Sequence, residues 1–211
     1  MITRIGVTAV ILTTLLGCNS APVATVEPKP RHPVTDKMWT EAKSLDNVAV
    51  PKFKLRDQFG KEQTLESLSE GKPLVLYFIK EGCPCSVDLE PLMQRLAKSV
   101  SGDVAVAGVI SGDAKVAEKW MKVGQTPYPV LLDTNLELIK AFKAERSTYT
   151  ALIRPDGTVQ RLWPGYSKDM LLEVAKTSSE LAKTPAQPFD PAYAPATMTS
   201  GCSFYSDDPD A

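Results

Sequence analysis

The chain has 211 residues with 24 basic and 25 acidic side chains, which gives a formal net charge of −1. This length fits one compact domain of about 140 residues with an extension at each end. Mixed charges provide no basic surface for nucleic acid or for an anionic bilayer, and a single histidine argues against most mechanisms that need a histidine base.

The first residues are typical of an export signal. Arg4 precedes an apolar run, residues 5–16, which is too short and too often interrupted by threonine for a membrane-spanning helix. The run ends in the sequence LLGC, which resembles the lipobox of bacterial lipoproteins. The resemblance implies that residues 1–17 are removed and that Cys18 carries a lipid, so that the protein is membrane-anchored outside the cytoplasm, in the periplasm or at the cell surface. The alternative is an ordinary signal sequence with an incidental cysteine.

Two proline-rich segments flank the expected domain. Residues 18–45 show no apolar period, which predicts a flexible tether, and the only histidine, His32, lies in it. Residues 184–211 have a similar composition and predict an irregular, mobile tail that contains Cys202. The globular part is therefore expected over residues 46–183.

Strands alternate with helices between these two segments. The near-continuous apolar run at residues 74–79 predicts a central strand buried on both faces, and residues 104–110 predict a second one. The other predicted elements are strands at 53–55 and 129–132, helices at 89–96, 113–123, 136–142 and 167–183, and a hairpin of residues 149–153 and 158–163 around the turn 155–157. This order predicts an α/β fold with a central mixed sheet and helices on both faces.

Two cysteines directly follow the predicted central strand. Cys83 and Cys85 flank Pro84, which suits the first helical position because that position needs no N–H donor. Cys83 is then the N-cap, where unpaired backbone N–H groups and the helix dipole favour the thiolate. This placement predicts a nucleophilic cysteine, and the alternative is a pair of buried structural cysteines.

The residues from about 53 to 183 resemble the redoxin group of the thioredoxin superfamily, which includes alkyl hydroperoxide reductase and thiol-specific antioxidant proteins. The matching pieces are residues 53–61, the run GKPLVLYF at 71–78, Pro91 eight positions after Cys83, residues 129–133 and residues 151–157. The resemblance implies a thioredoxin-like fold and an oxidoreductase that works through its cysteines with no cofactor.

Three features depart from that family. One residue separates Cys83 from Cys85 rather than two, so a disulfide between them needs a strained loop. Residues 146–149 replace the cis-proline of thioredoxins, as in peroxiredoxins, and the resemblance makes Arg146 a candidate for holding a thiolate and a peroxide; the alternative is a solvated surface arginine. The proline and threonine of the peroxiredoxin signature are missing in both registers, which argues against peroxidase activity.

Cys202 offers a third thiol in the mature chain. Some relatives resolve an oxidised cysteine with one from the C-terminal region, which suggests this role for Cys202 toward Cys83 or Cys85. The alternatives are a fixed structural disulfide and a plain tail thiol. Which of Cys83 and Cys85 attacks is left open by the sequence.

We expect a membrane-anchored thiol redox enzyme whose partners are a thiol reductant and a disulfide-bearing protein, with a peroxide as the other candidate substrate. One alternative is a non-catalytic binder of copper or another soft metal, which the lack of a histidine in the domain disfavours. Another is a redox-inactive interaction module. Zinc motifs, nucleotide-binding glycine loops and a Ser-His-Asp site find no support, and no metal ligand is assigned.

Overall fold

The computed structural model of the protein describes residues 31–100, 102–185 and 187–206. In these ranges the strands are β1 Leu55–Arg56, β2 Glu62–Gln63, β3 Leu74–Ile79, β4 Ala105–Ile110, β5 Val130–Leu132, β6 Thr150–Ile153 and β7 Val159–Trp163. The helices are α1 Asp36–Lys43, α2 Leu65–Ser69, α3 Pro84–Ser99, α4 Ala114–Gly124, α5 Glu137–Ala141 and α6 Lys168–Ala182. The predicted signal peptide and Cys18 lie outside the described residues.

A five-stranded sheet in the order β5-β4-β3-β6-β7 forms the centre of the domain. Strand β3 runs parallel to β4 and antiparallel to β6, so the sheet is mixed, as the sequence predicts. All six residues of β3 are buried, because the strand lies in the middle of the sheet and is covered on both faces. The hairpin of β6 and β7 is also present.

Helices cover both faces of the sheet. Alternate residues of β3 point to opposite sides, so Tyr77 belongs to one apolar cluster and Phe78 to the other. The first cluster contains buried residues of α3, α4 and α6, whereas the second contains residues of α1 and α5. The α/β fold with helices on both faces is therefore confirmed.

A buried carboxylate fixes helix α3 to its surroundings. Glu90 is 2% exposed and accepts hydrogen bonds from the hydroxyls of Tyr77, Thr126 (2.8 Å) and Tyr128 (3.2 Å). A buried charge is costly unless hydrogen bonds compensate it, and here three hydroxyl donors do so. The network ties the first half of α3 to β3 and to the segment before β5.

The predicted tether of residues 18–45 is wrong over its described part. Thr35 caps α1, and Met38 and Ala42 on that helix are buried in the core. His32 is also buried, with 4% of its surface exposed. An eight-residue helix with two core residues leaves too weak a periodic pattern to be recognised among prolines.

The C-terminal residues 199–206 form no helix or strand, as the sequence predicts, but the prediction that they form a mobile tail is wrong. These residues lie against the domain, and Cys202 is 2% exposed. Their pairing partners are described with the site below. None of the helices in the described ranges is both long enough and apolar enough to cross a membrane.

Candidate active site

Cys83 stands at the junction between β3 and α3. Its N–H donates to the carbonyl of Lys80 (3.2 Å), which closes a turn in which Gly82 takes a φ of +75°, a conformation that favours glycine. Cys83 is the N-cap of α3 with Pro84 at its start, as predicted, but its side chain makes no capping hydrogen bond. The thiol is 1% exposed, and its partners come from elsewhere in the fold.

Two further segments supply donors to the Cys83 sulfur. The hydroxyl of Ser147 donates to Sγ over 3.3 Å, and the backbone N–H of Cys202 donates to the same atom over 3.1 Å. Ser147 is held in place because the N–H of Thr148, whose φ is +70°, donates to the carbonyl of Phe78 (2.7 Å). Donors aimed at sulfur stabilise its charged form.

The three thiols have very different acidities. Hydrogen bonding from the Cys85 thiol, followed by bonds from Cys202 and Ser147, lowers the pKa of Cys83 to about 3, although burial acts in the opposite direction. The hydrogen bond to Cys83 and burial raise the pKa of Cys85. Burial, and then the hydrogen bond to Cys83, raises the pKa of Cys202 to about 12. One thiolate, at Cys83, is therefore surrounded by two protonated thiols.

The C-terminal strap, residues 199–206, covers this thiolate. It pairs with the segment before β6 as an antiparallel strand would: Ser147 N–H donates to the Cys202 carbonyl, Gly201 N–H to the Ser147 carbonyl and Phe204 N–H to the Glu145 carbonyl, each over 3.0 Å. Thr199 and Tyr166 exchange two further backbone hydrogen bonds. The strap thereby brings Cys202 to Cys83 from a sequence separation of 119 residues.

Two cations hold the strap from the side. The Lys80 ammonium donates to the carbonyls of Ser203 and Ser206, and Arg146 Nη1 donates to the carbonyl of Gly201 over 3.2 Å. Arg146 Nη1 also lies 3.2 Å from His32 Nδ1. The hydrogen bonds of Arg146 thus go to the strap and His32, while its neighbour Ser147 donates to Cys83. A role of Arg146 toward a thiolate and a peroxide stays a prediction.

An open groove of about 1040 Å³ runs beside the cysteines. Cys85 and Pro84 are among the residues that line it, together with Asp88 and Tyr166, whereas Cys83 does not line it. Cys85 itself is 6% exposed. The cysteine that favours the thiolate is therefore the more deeply covered one, and its neighbour faces the groove.

The structure brings together all three cysteines that the sequence selected in the domain and tail. It adds Ser147 and Lys80, which sequence reasoning missed. Ser147 could have been suspected because it lies three residues before β6, the strand that pairs with β3, and next to Arg146. In the part of the chain that the structure describes, no group of three or more His, Cys, Asp or Glu side chains is arranged to hold a metal ion.

Comparison with known proteins agrees with these features. The model of the AhpC/TSA family matches residues 47–162. The thiol-disulfide oxidoreductase ResA of Bacillus subtilis (strain 168) is 29% identical over 124 residues, which cover 58% of this chain and 69% of ResA.

Two solved structures share the fold. Peroxidoxin BcpB of Mycobacterium tuberculosis has a TM-score of 0.54 at 21% identity, covering 65% of this chain and 96% of that protein. The thioredoxin domain of a thiol-disulfide oxidoreductase of Bacteroides vulgatus has a TM-score of 0.54 at 15% identity, covering 63% of this chain and 96% of that chain. The predicted thioredoxin-like fold is therefore confirmed.

Proposed function

Because the chain belongs to the AhpC/TSA family, we propose that it is a thiol-disulfide oxidoreductase in which Cys83 attacks and Cys202 resolves. The family confirms the broader predictions of a redoxin and of an oxidoreductase. The observation that carries the finer proposal is the contact of one acidic thiol, Cys83, with the backbone N–H and the thiol of Cys202.

The proposed reaction begins with the Cys83 thiolate. It attacks one sulfur of a substrate disulfide, forms a mixed disulfide with that half of the substrate, and expels the other half as a thiolate that takes up a proton. A second thiol of the chain loses its proton and attacks Cys83 Sγ, which forms an internal disulfide and releases the rest of the substrate as a thiol. Two cysteines are oxidised and one substrate disulfide is reduced, so an external thiol reductant must restore the enzyme.

Cys202 is the better second thiol. Cys85 follows Cys83 by two residues within the first turn of α3, where a disulfide would strain the backbone. Cys202 arrives on a separate segment, so its sulfur can approach Cys83 without distorting the helix. The contribution of Cys85 is then its hydrogen bond, the largest cause of the lowered pKa of Cys83.

A disulfide is favoured over a peroxide as the oxidised substrate. The chain lacks the proline and threonine of the peroxiredoxin signature in either register, and the hydrogen bonds of Arg146 go to the strap and His32. The relative ResA carries the name of a thiol-disulfide oxidoreductase. The substrate is therefore proposed to be a disulfide-bearing protein.

The proposed location is outside the cytoplasm, with Cys18 lipidated and the domain held near a membrane. The signal-like residues 1–17 and the lipobox-like sequence before Cys18 support this location. Disulfide substrates persist in such oxidising compartments, whereas they are rare in the cytosol. The partners are then a disulfide-bearing protein and a thiol reductant of the same compartment.

A stoichiometric reaction with a peptide disulfide tests the cysteine roles. The reduced protein and its variants Cys83→Ser, Cys85→Ser and Cys202→Ser are mixed with the peptide, quenched with acid, alkylated and mapped by mass spectrometry. We expect a Cys83–Cys202 disulfide in the unchanged protein, accumulation of the peptide on Cys83 in Cys202→Ser, and no reaction in Cys83→Ser.

Exchange that persists in Cys83→Ser would overturn Cys83 as the nucleophile. A disulfide between Cys83 and Cys85 as the sole product would overturn Cys202 as the resolving thiol. Hydrogen peroxide, added in place of the peptide, provides the comparison of substrates: a faster reaction with peroxide than with the disulfide would overturn the assigned substrate class.

A further inference from the structure

We infer that the C-terminal strap is an autoinhibitory cover, which must leave its pairing edge before a disulfide-bearing polypeptide can reach Cys83 and must return to deliver Cys202. The covering function stands on geometry alone, whereas its meaning for the catalytic cycle rests on the proposed function. Cys202 thus has two successive positions in one cycle.

Access to Cys83 is the first step of the argument. Cys83 is 1% exposed, and its sulfur is contacted by the Ser147 hydroxyl and by the backbone N–H of Cys202. Thiol-disulfide exchange requires the attacking sulfur to touch a sulfur of the substrate. A polypeptide cannot bring its disulfide to that position while the backbone of Cys202 lies 3.1 Å from Cys83 Sγ.

The way the strap is held makes it removable. Its attachments are backbone hydrogen bonds to residues 145–147, to Tyr166 and to His32, the two cationic contacts of Lys80 and Arg146, and the burial of Cys202 and Phe204 in the apolar clusters. Most of them are hydrogen bonds, which an arriving polypeptide or water can replace. Release leaves the N–H and carbonyl of Ser147 and the carbonyl of Glu145 without these partners. An extended polypeptide can offer the same pairing to such an edge, so an arriving substrate can compensate for the hydrogen bonds that release breaks.

The close packing of the strap against Ser147 suggests substitutions that should displace it. A Cβ on Gly201 would lie 2.0 Å from Ser147 Oγ and 3.0 Å from the Ser147 carbonyl oxygen, so in Gly201→Ala the Ser147 hydroxyl must turn away and the strap backbone must move off Ser147, which strains the closed arrangement. Lys80→Met removes the ammonium that donates to Ser203 and Ser206 while keeping a side chain of similar length. Both changes leave every cysteine in place.

The experiment measures alkylation of Cys83 in the reduced, full chain by a bulky polymer-linked maleimide and by a small maleimide. Peptide mapping identifies the modified cysteine, and a pH of about 8 keeps exposed thiols reactive. The ratio of the bulky to the small rate reports steric access and cancels changes in thiolate population. The proteins compared are the unchanged chain, Gly201→Ala, Lys80→Met, and the controls Cys202→Ser and Lys115→Met, the latter an exposed lysine of α4.

We expect the ratio to rise about tenfold or more in Gly201→Ala, as for a strap that is open in one molecule in ten or fewer, and to rise less in Lys80→Met. Cys202→Ser keeps the strap backbone and Lys115→Met lies elsewhere, so both should match the unchanged protein. An unchanged ratio in Gly201→Ala and Lys80→Met, with normal circular dichroism, would overturn the cover. A ratio in Cys202→Ser as high as in Gly201→Ala would also overturn it, because the thiol alone would then be the obstacle.

This readout needs no turnover, which separates the two proposals. If Gly201→Ala unmasks Cys83 but no variant exchanges with a disulfide, the cover stands and the proposed function fails. If exchange proceeds through Cys83 with unchanged access in all variants, the proposed function stands and the cover fails.

Discussion

Cys83 and Cys202 are almost equally buried, at 1% and 2% exposed, but different kinds of structure bury them. Cys83 is built on β3 and α3, whose apolar side chains pack into both sides of the core. Cys202 is carried by a strap that is attached through backbone hydrogen bonds to three segments and that places two side chains, Cys202 and Phe204, in the apolar clusters. Equal exposure therefore conceals two stabilities: Cys83 keeps its position until the domain unfolds, whereas Cys202 can move away through a local opening of the strap, which also uncovers Cys83.

Hydrogen exchange should show the largest contrast between these two regions. The amide of Phe78, bonded to the Tyr149 carbonyl in the sheet, should exchange only through global unfolding. The amide of Phe204, bonded to the Glu145 carbonyl, should exchange roughly a thousandfold faster through local opening of the strap, a difference of about 4 kcal/mol. Native-state exchange followed by NMR measures both.

Low denaturant concentrations sharpen this test. They should accelerate exchange at Phe78 and leave Phe204 almost unaffected, because opening of the strap exposes little surface. Equal exchange rates at the two amides would mean that the strap unfolds only together with the core, which would contradict the proposed difference in stability between the two regions.

Substitutions on α3 should show the next largest effect. Leu89 is 0% exposed in the core beneath the cysteines, so Leu89→Ala should lower the free energy of unfolding by about 2–5 kcal/mol. Val87 on the same helix is 38% exposed, and Val87→Ala should change it by less than about 0.5 kcal/mol. Urea denaturation measures both free energies of unfolding. Comparable decreases for the two variants would contradict the packing of α3, through Leu89, into the cooperatively folded core.

The smallest expected effect is a shift in the titration of Cys83. Ser147→Ala removes one donor to the thiolate and should raise the midpoint of its titration by about one pH unit. Thiolate absorbance in the ultraviolet measures the midpoint, and Cys83→Ser provides the blank. An unchanged midpoint would mean that the Ser147 hydroxyl contributes nothing to the acidity of the thiol.

The same titration has a consequence for stability. The pKa of Cys83 is lowered to about 3 in the folded chain, whereas an ordinary thiol has a pKa of about 8.5. Between these values the unfolded chain binds a proton that the folded chain has released, so this group makes the free energy of unfolding rise with pH. Its contribution is fully present above about pH 8.5 and is lost as the pH falls through about 3. The raised pKa values of Cys85 and Cys202 act in the opposite direction above about pH 8.5.

The sequence predicts β3 and the start of α3 well, because the patterns that indicate them lie within a few neighbouring residues. The apolar run at residues 74–79 is the fully buried β3, and the order Cys83, Pro84, Cys85 places the N-cap correctly. Buried side chains impose a periodic pattern on the sequence, and proline restricts where a helix can start. The fold class and the position of Cys83 at the start of α3 could therefore be predicted from one chain.

The strap could not be predicted, because backbone atoms make most of its bonds. The pairing of Gly201 and Cys202 with Ser147 uses N–H and carbonyl groups that every residue possesses, across more than fifty positions of sequence. Such a contact leaves no apolar period, and the proline-rich composition around it is the composition of a linker. The close approach to Ser147 requires glycine at position 201, but glycine is too common for a single one to indicate such a contact.

The contact between the strap and the N-terminal segment shortens the connection to the proposed anchor. The N–H of Ser200 donates to the His32 carbonyl over 2.8 Å, and Pro33 forms a bridge with Thr199. His32 is only fourteen residues from Cys18, so even at about 3.5 Å per residue the segment between them cannot span more than about 50 Å. With a lipid on Cys18, the length of this segment would limit the reach of the active site. A disulfide farther from the bilayer than the segment length plus the width of the domain would never contact Cys83.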